Sequence, residues 1–332
     1  MGSDPMALWD YTVRRTIILI PMFFLSTVVI FSLIHLAPGD PIEIMFTETG
    51  HPPPREVIDQ VRKSLGLDRP IYVQYLIWIK KLLRGDFGFS YGGPFIGQSV
   101  LDLIRSRFWY TIMLMFTAQV LALVIAITLG VIAAVKQYSI FDNVCSITAL
   151  FGYSMPNFWF ALILMLVFGL KLGVFPICGA STAGADFTGF AALSDLLRHL
   201  FLPVLSVTVG YTAWLFRLVR STMLDVLSQD YITTARAKGV RERVVVYKHA
   251  LRNALLPVVT VVGMRLGFIL SGAVVSEVIF AWPGMGRLAV TFALNRDYTG
   301  LMGLSVIIVL MVYIANLVTD IAYALIDPRI KY

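Results

Sequence analysis

Apolar residues gather into six long runs, at residues 16–37, 108–135, 143–170, 199–219, 254–280 and 300–325. Polar and charged residues, Gly and Pro return between them. A helix needs roughly 20 residues to cross the hydrocarbon core of a bilayer, and each run is long enough. The ten-residue alternation of a membrane β-barrel is absent. The pattern predicts an all-α polytopic membrane protein with six transmembrane helices. Pro156 predicts a kink inside the third. Residues 38–105 form a long polar insertion opened by Pro38-Gly39-Asp40-Pro41, a strong stop. Two helices are expected within it. One runs from Pro54 to Gly66. The other covers residues 70–84, with Val73, Leu76, Ile77 and Leu83 on one side, Lys80, Lys81 and Arg84 mostly on the other, and Gly85 as its cap.

Charge turns the six runs into a topology. Short inner loops keep Lys and Arg, whereas long outer regions escape that rule. Arg14 and Arg15, Lys136, the series from Arg217 to Arg252, and Arg329 with Lys331 then fall inside. The two short outer segments carry only Lys171 and Arg198, then Arg287 and Arg296. Both termini are therefore expected in the cytoplasm and the insertion outside. Residues 1–15 form an inner N-terminus, of which 1–5 read as a leader added in cloning. Residues 16–37 are the first span, 38–105 the outer insertion, 106–326 a core of five spans with an inner loop at 221–253, and 327–332 an inner tail. Composition agrees: the 332 residues are 58% hydrophobic and 14% charged, against about a quarter charged in soluble domains. The net charge of +7 follows from inner loops, and no nucleic-acid motif accompanies it. Cys145 and Cys178 lie at opposite ends of one run, too far apart along a helix for a disulfide, and two Cys without His spacing make no metal site.

Few residues could carry chemistry. Gly88-Phe89-Ser90-Tyr91-Gly92 fits G-x-S-x-G, but a nucleophile elbow needs a strand before it and a helix directly after, so a turn is the expected role. There is no H-E-x-x-H and no Gly-Lys dipeptide, hence neither a zinc protease motif nor a P-loop. Gly263, Gly267 and Ser271 recur four apart in the fifth run, a spacing that lets membrane helices approach closely, either within the chain or against a second subunit. Arg265 lies well inside the same run. A cation there needs a partner or water, as a structural ion pair or as a charge facing a substrate. Glu277 and Asp320 lie nearer run ends, where structural or gating roles fit.

The longest charged stretch, residues 230–257, holds Arg236, Lys238, Arg241, Arg243, Lys248 and Arg252. Here the chain resembles a known family. Thr233-Thr234-Ala235 followed by Gly239 is similar to the EAA-x3-G signature of permease subunits of bacterial ABC importers, with Thr233 in place of its Glu. Thr234–Gly239 together with His249, Ala250, Leu251, Arg252, Asn253 and Pro257 resembles the dipeptide, oligopeptide and nickel branch. Pro38-Gly39-Asp40-Pro41, Gly66-Leu67-Asp68-Arg69-Pro70, Gln74-Tyr75, Gly85-Asp86-Phe87-Gly88, Trp282-Pro283-Gly284-Met285-Gly286, Arg296-Asp297-Tyr298 and Asp327-Pro328-Arg329 resemble the first, B-type permease of the pair. The matches extend over nearly the whole chain.

The resemblance implies a type I ABC importer permease fold and a place in a heterodimer with a second homologous permease. It also implies two cytoplasmic ATPases, which would hold the ATP and Mg, and an extracytoplasmic substrate-binding protein. No cofactor or metal is expected in this chain. The expected location is a bacterial or archaeal inner membrane, with no nucleic-acid partner. The implied ATPase-coupling residues are Thr233, Thr234, Ala235, Arg236, Lys238, Gly239, Arg243, His249, Arg252 and Asn253. The implied pathway or permease interface comprises Gly263, Arg265, Gly267, Ser271 and Glu277. Di- or oligopeptides are the expected cargo, with nickel, glutathione or opines as the alternative and an intramembrane serine hydrolase as the remote one.

Overall fold

In the computed structural model, the backbone is described for residues 5–36, 68–269 and 273–326, and side-chain surroundings for 13–36, 68–263 and 273–321. The expected helix from Pro54 to Gly66 lies outside these residues. The described chain is helical: α1 Pro5–His35, α2 Ile71–Leu83, α3 Val100–Val135, α4 Ile140–Ser154, α5 Asn157–Leu164, α6 Gly189–Leu227, α7 Asp230–Ala237, α8 Leu251–Ile269, α9 Val274–Ile279, α10 Met285–Leu294 and α11 Tyr298–Ile326. Among the described residues, four helices are long and apolar enough to cross a membrane, and α4 with α5 makes a fifth candidate bent by 104°. The fifth apolar run corresponds to α8 and α9, with residues 270–272 outside the description.

The chain divides into two units, Met1–Trp109 with Gly284–Tyr332, and Tyr110–Pro283. In the first, α1 packs antiparallel to α11. Ser26 bonds Tyr313 at 2.7 Å and Arg15 pairs with Asp320 at 3.4 Å. Ile17, Ile20, Leu25, Val29 and Leu33 point outward from α1, as a lipid-facing helix requires. α2 lies on α1 through Tyr75 and Trp78 around Phe31, with the Tyr75 hydroxyl on Thr27 at 3.0 Å. Ile79 and Leu82 are buried and Tyr75 and Trp78 half-buried on that side; of the expected Val73, Leu76, Ile77 and Leu83, the first and third are half-buried, while Leu76 and Leu83 are exposed. Aromatic packing on Phe31 selects that face. Residues 281–298, expected as a short turn, contain α10. Met285, Leu288 and Phe292 recur on one side and pack with Val100, Leu103, Ile104 and Leu304.

The second unit is built on α6, whose C-terminal half joins α3, α4 and α8 in a core of Ala122, Ala126, Val131, Phe216, Val219, Met223 and Val258. α6 begins ten residues before the expected start at 199 and continues to Leu227. Leu224, Val226 and Leu227 still pack on that core, so the helix continues past Arg220. At the other end, Asp195 accepts from the Thr182 amide and hydroxyl at 2.8 and 2.7 Å. This ties the connection at residues 172–188 back onto α6. Cys145 and Cys178 are free thiols.

Candidate functional site

The connection between α6 and α8 is compact and internally braced. Asp230 stands in the first turn of α7, favourably placed for the helix dipole. Ile232 points inward, fully buried with Val245, Val246 and Ala250. At the far end, the Gly239 amide donates to the Arg236 carbonyl at 2.9 Å and the Val240 amide to the Ala235 carbonyl at 3.3 Å. That pair of bonds is a Schellman cap, and it needs the left-handed φ of +74° found at Gly239. Val240 and Ala235 pack on the same core, completing the cap's apolar contact. A Cβ at Gly239 would meet nothing within 4 Å. The reason for glycine is backbone conformation and not space.

The chain then makes a single turn, Glu242–Val244, and a wide π-helical turn, Val245–Ala250, before α8. Two side-chain bridges fasten this return. Arg236 grips Glu242 with two nitrogens, at 2.7 and 3.2 Å. Asn253 donates to the Tyr231 hydroxyl at 2.9 Å. These hydrogen bonds from Arg236 hold the Glu242 carboxylate below its ordinary pKa. Thr234 Oγ1 bonds back to the Asp230 carbonyl, and Thr233 is exposed. Arg236 is thus engaged within the connection. Lys238, Arg241, Arg243, Lys248 and Arg252 are exposed and make no ion pair among the described residues. With Tyr247 beside them, they form a basic surface suited to an acidic protein rim. His249 is half-buried, and its carbonyl accepts from Asn253.

Beneath this surface, Arg220 of α6 holds Asp142 of α4 through two bonds of 2.6 and 2.7 Å, with Asp142 only 1% exposed. Asp142 also accepts from the Tyr138 amide, and Ser139 caps α4 on its amide. Sequence reading passed over Asp142, since a lone acid at the start of an apolar run shows no partner. Its partner is 78 positions away.

The expected pathway residues are only partly in view. Glu277 is fully buried on α9 and accepts from Thr111 of α3 at 2.9 Å. Next to it, Ser276 bonds Ser206 of α6, and Trp282 donates to the Tyr110 carbonyl. These links anchor α9 within the second unit. Gly263 is half-buried on α8. Arg265 and Gly267 lie further along the backbone of α8, outside the residues whose surroundings are described, and Ser271 lies outside the described residues.

Ser90 is fully buried, and its hydroxyl donates to Asp297 and to the Gly92 carbonyl. Gly92 and Gly93 press against Asn295, where a Cβ would come within 2.7 Å. The G-x-S-x-G stretch is a closed turn held by a carboxylate acceptor, with no histidine in its hydrogen bonds.

The family model described as "Binding-protein-dependent transport system inner membrane component" matches residues 126–332. A second, described as "Binding-prot-dependent transport system membrane comp, N-term", matches residues 8–120. Over 97% of its length the chain is 43% identical to the oligopeptide transport system permease protein AppB of Bacillus subtilis, covering 99% of that protein. It is 37% identical to the dipeptide transport system permease protein DppB of Escherichia coli K12 and 38% to the glutathione transport system permease protein GsiC of Escherichia coli O1:K1 / APEC. Each of these alignments covers 97% of this chain and 99% of the relative. A solved structure of the MetNI methionine ABC transporter in inward facing conformations overlays with a TM-score of 0.53 at 20% identity, covering 68% of this chain and 98% of that one. At that identity the likeness speaks for the fold alone.

Proposed function

We propose that this chain, which belongs to the family of binding-protein-dependent inner-membrane transport components, forms with a second homologous permease the membrane path by which an ABC importer takes up di- and oligopeptides. The observation that carries the reading is the match over 97% of the chain to permeases named for oligopeptide and dipeptide transport. The glutathione permease among the relatives is compatible with it, since glutathione is itself a modified tripeptide.

The chain's part in such a machine follows from the inner connection. α7 and the basic surface beside it dock on one of two cytoplasmic ATPases, with Lys238, Arg243 and Arg252 facing acidic groups and Thr233, Thr234 and Ala235 on the docking helix. The Gly239 cap and the Arg236–Glu242 clamp keep the connection stiff, so movement of the ATPase displaces it as a body. Ile232, buried in the core shared by α3, α4, α6 and α8, passes that displacement to the spans. The Arg220–Asp142 pair holds α4 to α6 while it does so. Rigid elements moved by partner closure are the usual physical basis of alternating access. ATP and Mg are held by the partners, and an extracytoplasmic binding protein delivers the cargo.

The test is co-expression with the candidate partners, purification of the complex, and ATPase measurement over a panel of di- and oligopeptides, glutathione and Ni²⁺. Stimulation by peptides presented on the binding protein is the expected result. Stimulation by Ni²⁺ alone, or no stable complex with any ATPase, would overturn the reading.

A further inference from the structure

The second unit contains a half-open cavity of about 380 Å³ between the bent pair α4–α5 and α6, with Ala273 also on its wall. It sits at the 104° bend, where the helix breaks at Met155-Pro156. Broken backbone at membrane depth persists only where protein buries it or water reaches it. Here the break faces the cavity. Gly152, on the wall, loses the helical donor to its carbonyl because residue 156 is proline. Asn157, also on the wall, is exposed and makes no hydrogen bond through its carboxamide among the described residues, so an occupant that covers it must supply the partner water now can give. Tyr153, Met155, Tyr211 and Trp214 give the wall an aromatic, soft part beside Val207 and Val209, and the Ser206 hydroxyl on it is already bonded to Ser276. The lining holds no Asp, Glu, His, Cys, Lys or Arg.

This combination narrows the occupant. A lipid tail, or the apolar face of a neighbouring helix, would fill the aromatic part but leave the Gly152 carbonyl and the Asn157 carboxamide unpaired. That omission is costly in a low-dielectric site. A metal cation finds no ligand set. A peptide group supplies one N–H and one C=O, which match a free carbonyl and a carboxamide. The side chain beside it then enters the aromatic wall. The volume falls in the lower part of the range of small-ligand pockets, roughly 300–1,000 Å³.

Resting on the peptide-import reading, we infer that this cavity is a subsite for the uncharged interior of the transported peptide. An apolar or aromatic side chain lies among Tyr153, Met155, Tyr211 and Trp214, and the adjoining peptide group bonds Asn157 and the Gly152 carbonyl. The permease thus favours apolar side chains without reading the charged peptide termini.

The test uses the whole importer, with both permeases, ATPases and binding protein, in proteoliposomes. The probe is the tripeptide Ala–p-benzoylphenylalanine–Ala, photolysed during turnover, with adducts mapped by mass spectrometry. Adducts at residues 152–160 and 206–214 are expected. In parallel, Asn157→Ala is expected to lower uptake of Ala-Phe-Ala about fivefold relative to triglycine in the same vesicles, the effect of one hydrogen bond. Gly210→Leu provides a second variant that folds readily. A Cβ at Gly210 meets open space and leucine favours helix, so it narrows the cavity and should lower the same ratio. Uptake of the probe with adducts only elsewhere in the permeases or in lipid, or an unchanged ratio in both variants, overturns the subsite while peptide import stands. Failure of the wild-type complex to import any peptide overturns both.

Discussion

Gly239 shows how one backbone angle can dictate the residue at a position. Its φ of +74° closes the Schellman cap of α7, and a side chain there strains the backbone by about 1–2 kcal/mol. Asn tolerates that conformation better than β-branched residues do. Gly239→Val is therefore expected to reduce peptide-stimulated ATPase strongly and Gly239→Asn mildly, with both chains still inserted and assembled. Equal activity of the two would refute the backbone argument. Asp142 acts through charge. Replacing it with Leu leaves Arg220 without its counter-ion, and breaking such a pair costs about 3 kcal/mol. Thermal unfolding of the detergent-purified complex should show the loss, and Asp142→Leu with Arg220→Met should recover most of it. A double variant no better than the single one would exclude the ion pair as the cause.

Among elements, the connection between α6 and α8 and the broken helix matter most. The Arg236–Glu242 clamp is exposed, a class of pair worth at most about 1 kcal/mol, so its loss should slow coupling by no more than about fivefold. Arg236→Glu is expected to lower peptide-stimulated ATPase within that limit, and the exchange Arg236→Glu with Glu242→Arg to restore it. No restoration would mean that Arg236 acts on a partner and not on Glu242. The pH dependence has a definite sign. The folded pKa of Glu242 is depressed, so the clamp's contribution is complete above the ordinary glutamate pKa and disappears as pH falls through the lower folded value. Coupling near neutral pH should therefore not depend on this group. The π-helical turns, Met165–Lys171 and Val245–Ala250, show no periodicity signal, because one extra residue per turn leaves the apolar count nearly unchanged. α2 shows the related difficulty of choosing a face. Its sequence offers several apolar stripes, and Phe31 of α1 decides among them.

For the molecule as a whole, the antiparallel pairing of α1 with α11 brings Arg15 and Asp320 to one end of that pair. Both chain termini are then expected on the same side of the membrane. Tags at each end should react together with a membrane-impermeant reagent only after the vesicles are opened or inverted. One tag reacting from outside in intact cells would contradict the arrangement. Family, apolar runs, the basic connection between two of them and the glycine at 239 were all legible in the sequence, because they depend on composition and local order. Six helices were expected from length and hydropathy; the long helices follow those runs, while α6 and α3 extend beyond them because apolar side chains continue to pack past the charged residues.

By itself, the sequence determined that this chain lives in a membrane, which protein family it belongs to, and that its longest charged stretch lies between two apolar runs. Those properties follow from local hydrophobicity and from residues a few positions apart. Only the tertiary structure decided that Arg236 of the basic stretch is taken up by Glu242, that Asp142 meets Arg220, that Ser90 is buried on Asp297, and that the break at Pro156 opens onto a cavity. Apart from the first, each depends on groups brought together from distant parts of the chain, where burial removes water and forces every polar group to find a partner.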